Sequence, residues 1–130
     1  MDNESRGELI HPEFEISLVE VDATKLELWF HPDQANGVSG HMIYEKLEAD
    51  GLLASCLNLS DLMIIQAKGI VFYRQHIAVR LSPAWKSVTG DSDGPHSVPC
   101  LFDSDDELVI IWYRLEYNLG LDGPALRRIC

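Results

Sequence analysis

Residues 41–58, HMIYEKLEADGLLASCLN, constrain the fold more than any other stretch of this chain. Ile43, Leu47, Leu53, Ala54 and Leu57 fall near one side at helical spacing, the pattern of an amphipathic helix lying on a sheet. Ser39 stands where an N-cap is needed. Gly51 has two readings: it ends the helix as a C-cap, or it stays internal at a cost of about 1 kcal/mol.

The flanking segments read as strands. Phe14, Ile16 and Leu18 alternate with Glu13, Glu15 and Ser17, and Leu26, Leu28 and Phe30 alternate with Lys25, Glu27 and Trp29. The short link Asp22-Ala-Thr between the two predicts a hairpin. Residues 31–40, with Pro, Asn and two Gly, form a loop into the helix. LMIIQAKGIVFYRQHIAVRL alternates around Val71, Tyr73, Ile77, Val79 and Leu81, which predicts two strands with a bulge at Gly69. Residues 89–97, TGDSDGPHS, are the most loop-like, and SVPCLF and ELVIIWYRLEY then form a second hairpin across residues 103–106. Pro124, Arg127 and Arg128 suit a terminal helical turn. The order is two strands, one long helix and about four strands, an α+β domain at residues 13–130 behind a flexible stretch at 1–12.

At 130 residues and 46% apolar content, one core without disulfide or metal is sufficient. Cys56, Cys100 and Cys130 are odd in number and widely spaced, as expected of reduced thiols, and no secretion signal or membrane-length apolar run is present, so a cytoplasmic location is expected. Asn3-Glu-Ser5 and Asn58-Leu-Ser60 match the glycosylation pattern but carry no weight without export. The net charge of −11 disfavours nucleic acid and anionic membrane. Residues 1–69 hold 13 acids and 4 bases, a charge of −9, against 8 and 6 in residues 70–130.

FEISLVEVDATKLELWFHPDQANGVSGHMIYEKLEADGLLAS resembles the front half of hot-dog acyl-CoA thioesterases of the phenylacetate-pathway type. Pro32 and Asn36 match that family's proline and asparagine. His41 and Asp50 match its turn histidine and helix acid once one turn residue is deleted. KGIVFYRQHI and LFDSDDELVIIWYRLEY resemble its later strands. The resemblance implies a hot-dog fold, an antiparallel sheet of about six strands around one long central helix, working as a homodimer with its site at the seam. It implies acyl-CoA or another acyl thioester as substrate and no cofactor or metal. Asp50 would be base or nucleophile, with Glu48 and Glu45 in reserve. Asn36 would orient water or substrate, and the backbone N–H groups of His41 and Met42 would face the oxyanion. Arg74, Arg80 and Lys86 would meet the phosphates of CoA. Met42 and Ile43 stand where the family usually has two glycines. A second alignment, through Phe30-His31-Pro32 and Glu45, resembles the hot-dog hydroxyacyl dehydratases without their fuller His-Phe-Pro-Gly motif.

Other motifs are weaker. His31-Pro32-Asp33 matches the tripeptide of J-domain cochaperones, but an acidic alternating segment precedes it instead of a basic helix. His96 and Cys100 lack a second pair of metal ligands, and Leu108 occupies the glycine position that a calcium loop at residues 103–107 would need. The rival function is a non-catalytic acidic binding protein, an immunity protein or inhibitor whose acids dock on a basic partner. An enzyme should hold Asp50 in a pocket beside the partner chain's loop, whereas such an inhibitor should carry its acids on one exposed face with no tunnel.

Overall fold

A computed structural model describes residues 8–14, 25–105 and 107–128. The elements in chain order are β1 (Glu8–Leu9), β2 (Leu26–Trp29), β3 (Val38–Ser39), α1 (Gly40–Ala49), α2 (Leu59–His76), β4 (Leu81–Pro83), β5 (Thr89–Asp91), β6 (Gly94–Ser104), β7 (Glu107–Arg114), β8 (Asn118–Leu119) and β9 (Ala125–Arg128). Short 3-10 turns lie at Pro12–Phe14, Gln34–Asn36, Leu53–Ser55 and Trp85–Ser87. The fold is α+β, with two helices and a multi-stranded antiparallel sheet.

β6 organises that sheet. It pairs with β7 from Ser97↔Arg114 to Ser104↔Glu107. It also pairs with β5 at Thr89↔Ser97 and with β4 from Leu81↔Phe102 to Pro83↔Cys100. β1 adds to β5 through Glu8↔Gly90 and Leu9↔Thr89, and all pairings are antiparallel. Successive strand side chains point to opposite faces, and β6 buries both. Val98 and Cys100 join Ile43, Tyr44 and Leu47 of α1 and Trp85 in one core cluster. Leu101 joins Leu62, Ile65 and Tyr73 of α2 in the other. Among the described residues β7 pairs only with β6; it buries Leu108 and packs Ile110 on the second cluster and Ile111 and Tyr113 on the first, these three partly exposed.

The predicted helix at 41–58 breaks at Gly51. Gly51 has φ +71, its N–H donates to Glu48 O at 3.2 Å, and the N–H of Leu52 reaches back to Leu47 O at 2.9 Å. These two bonds satisfy the last carbonyls of α1, and the left-handed glycine makes them possible. Ser39 caps the other end as expected, its Oγ accepting from Met42 N at 3.3 Å.

The long helix lies further along the chain, where two strands were expected. Leu62, Ile65, Tyr73 and Ile77 form its inner side, at spacings that fit a helix as well as alternation fits a strand, while Val71, assigned to the inner face of a strand, is 66% exposed. A capping box starts α2: Asn58 Oδ1 accepts from Asp61 N at 2.9 Å and Asp61 Oδ2 accepts from Asn58 N at 3.0 Å. Gly69 interrupts it with φ 96 and ψ 169, a kink in place of the predicted bulge.

Three further expectations change. Residues 89–97 form the β5–β6 hairpin rather than a loop. The C-terminal residues 125–128 form strand β9, paired with β2 from Leu26↔Arg128 to Trp29↔Ala125, rather than a helical turn. β2 is a strand as read, whereas the segment expected to pair with it in a hairpin lies mostly outside the described residues. Of the stretch expected to be flexible, Glu8–Leu9 pairs in the sheet and Ile10 N donates to Val88 O at 2.9 Å. The hairpin of β6 and β7 stands where the sequence places it.

Candidate functional site

α1 carries most of the residues that the thioesterase resemblance implies, but spreads them along its length. His41 is in its first turn and Asp50 is its C-cap, about 13 Å apart by the helical rise. Asp50 is exposed and lies 3.5 Å from Lys46, one turn earlier. Glu45 and Glu48 are also exposed, and Asn36 is exposed at the end of the 3-10 turn Gln34–Asn36. The N–H groups expected to face an oxyanion are bonded within the fold: His41 N donates to Leu115 O at 3.1 Å and Met42 N to Ser39 Oγ. Met42 itself is an exposed apolar side chain.

Of the three cations assigned to phosphates, two come together. Arg74, near the end of α2, grips Asp103 with Nε and Nη2 at 2.9 and 2.8 Å and also donates to the carbonyl of Asp105. The guanidinium of Arg74 beside Asp103 holds that carboxyl below its usual range. Arg80 lies over the Phe102 ring, 5.0 Å from its centroid. Arg74 and Arg80 line one cleft of about 330 Å³ with Ala78, Val79, Asp103 and Asp105. Lys86 is elsewhere, in the turn Trp85–Ser87, where its N–H donates to Leu57 O at 3.1 Å. A second cleft, about 550 Å³, is lined by Glu8, Leu9, Ile10, Gly90, Asp91 and Ser92. Neither cleft includes Asn36, His41, Glu45, Glu48 or Asp50.

One polar cluster was not read from the sequence. His11 sits with Nδ1 3.1 Å from Glu13, and with Nε2 3.0 Å from the Tyr44 hydroxyl and 3.9 Å from Glu48. A hydroxyl, a histidine and a carboxylate in series have the connectivity of an activated nucleophile. The electrostatics run the other way. Burial, with Glu48 and Glu13 adding to it, pushes the Tyr44 hydroxyl up to about 12, so it stays protonated and joins the N-terminal segment to α1. Nothing local flags this cluster, since His11 and Tyr44 meet across 33 residues of chain.

Among the described residues the two cysteines, Cys56 and Cys100, offer no nucleophile either. Burial pushes the Cys56 thiol up to about 12 and that of Cys100 upward as well. His96 pairs with Asp91 at 2.9 Å. Among the described residues no group of three or more His, Cys, Asp or Glu side chains is placed to hold a metal ion, and no helix is long and apolar enough to cross a membrane.

Compared with known proteins, the chain matches no family model, no curated protein and no solved structure.

Proposed function

We propose that this chain is a non-catalytic binding protein that docks a basic protein partner through the exposed carboxylates of α1. The observation that carries the reading is that Glu45, Glu48 and Asp50 are all exposed on this one element and neither cleft takes them in. A carboxylate that activates water needs a partly enclosed site to hold substrate and to shift its proton affinity. Exposed acids, here spread over both flanks of α1 in a chain of net charge −11, instead attract a cationic surface over long range and speed encounter with it.

The test is affinity for a basic protein captured from native lysate and then purified, measured against salt and charge reversal. Binding should weaken at least about tenfold in the double variant Glu45→Lys, Glu48→Lys, with each lost contact worth a few kcal/mol at most. It should also weaken steeply between low and physiological salt. A captured partner that is acidic, or one bound equally well by the double variant, contradicts the proposal.

The acyl-thioester reading has one observation in its favour, the convergence of Arg74 and Arg80 on one cleft. Under that reading the hot-dog arrangement would use α2, not residues 41–58, as the helix across the sheet, and the homodimer would have to complete the site.

A further inference from the structure

The cleft at the end of α2 is walled by two turns and carries four charges. Arg74 and Asp103 neutralise each other through two hydrogen bonds. Arg80 is steadied by the Phe102 ring and its charge also acts on Asp103, but among the described residues neither Arg80 nor the Asp105 carboxylate forms a direct ion pair. The cleft therefore presents one cation and one anion that make no direct ion pair within about 330 Å³, at the small end of the range for ligand sites.

The backbone around it is costly. Ala78 and Asp105 are the two non-glycine residues with positive φ among the described residues, at 60° and 59°, and both line this cleft. Each stands at a turn, Ala78 where α2 ends and Asp105 between β6 and β7. Alanine in that region costs about 1–2 kcal/mol, which glycine would avoid.

We propose that the cleft binds a small zwitterion of the α-amino acid class, its carboxylate on the Arg80 guanidinium and its ammonium on the Asp105 carboxylate. A planar guanidinium already oriented by stacking takes a carboxylate at little cost in side-chain entropy. A phosphate dianion would pair with Arg80 but meet Asp103 and Asp105, in a chain whose overall charge already repels it. Neither acetate nor methylammonium satisfies both charges.

The experiment is an NMR titration of the ¹⁵N-labelled full chain with glycine, L-serine, L-leucine and L-glutamate. Acetate, methylammonium and inorganic phosphate are titrated alongside. At least one amino acid should give saturable shifts at the amides of Ala78, Val79, Arg80 and Asp105. Acetate and methylammonium, each keeping one contact of two, should bind at least about tenfold more weakly, and Arg80→Gln and Asp105→Asn should each weaken the amino acid by a similar factor. Asparagine tolerates the left-handed conformation, so Asp105→Asn removes charge without disturbing the turn. The proposal is overturned if none of the four amino acids gives saturable shifts. It is also overturned if phosphate or acetate binds as tightly as they do, or if either variant binds unchanged.

Discussion

Gln34 is fully buried, and all of its polar atoms have work that explains why. Its Nε2 donates to the carbonyls of Gly120 and Gly123, both at 2.9 Å, and its Oε1 accepts from His31 N at 2.9 Å, so one side chain ties the loop before α1 to the loop before β9. Gln34→Ala should lower stability by about 1–3 kcal/mol in urea denaturation, because it leaves the buried Gly123 carbonyl and the half-buried His31 N–H to find other partners, while Gly120 O keeps its bond from Gly123 N. Asp61 is 3% exposed at its side chain, closes the α2 capping box and accepts from Arg128 at 2.6 Å. Asp61→Ala should cost about 2–3 kcal/mol by the same measurement, since it uncaps a helix and removes the carboxylate that the partly exposed Arg128 bonds. The ties of Gln34 to the loop before β9 and of Asp61 to Arg128 act across 86 and 67 residues and were not legible in the sequence. Ser39 could be read because a cap acts over three residues; the box of Asn58 and Asp61 is as local, but the segment after it was read as strands.

At the scale of elements, two glycines decide where helices end and bend. Gly51→Ala should cost about 1–2 kcal/mol, because α1 ends only with that residue in the left-handed region. Gly69, at φ 96 and ψ 169, occupies backbone space that is nearly closed to other residues. Gly69→Ala should therefore cost about 1–3 kcal/mol even though nothing lies within 4 Å of the added methyl. Thermal or urea denaturation of both variants checks this, and an unchanged midpoint for Gly69→Ala would argue against the kink. The sequence left the role of Gly51 open, and only the carbonyls it frees decide it. It misassigned α2 for a physical reason. Tyr73 and Ile77 satisfy both a period of two and a period near 3.6, and Gly69 divides the helical pattern into pieces short enough to pass for strands. Residues 124–128 carry Pro124 and two arginines in helix-like positions, but pairing of 125–128 with β2 overrides that preference. The hairpin of β6 and β7 was legible because two apolar runs flank an acidic turn.

Across the whole molecule, a sheet covered on both faces joins two cores, and each core buries a tyrosine whose ionisation the fold resists. Burial pushes Tyr44 and Tyr73 up to about 12 from an ordinary value of 10.0. The unfolded chain therefore loses these protons first as pH rises. The stability they contribute is complete below pH 10 and is lost as pH climbs through about 12. Absorbance of tyrosinate and circular dichroism should change together in that window, and smooth ionisation of all tyrosines well before unfolding would contradict the burial. At acid pH the direction reverses. Arg74 holds Asp103 below 3.8, so that pair contributes stability above this value and loses it as pH falls through the lower folded value. The central claim is that the carboxylates of α1 serve docking rather than catalysis. The measurement that tests it most directly is hydrolysis of short, aromatic and long acyl-CoAs by the purified chain, with Asp50→Ala, Glu48→Ala and Glu45→Ala alongside. No turnover above the uncatalysed rate by any of the four proteins is the predicted result, and turnover by the wild type that one of these substitutions abolishes would contradict it.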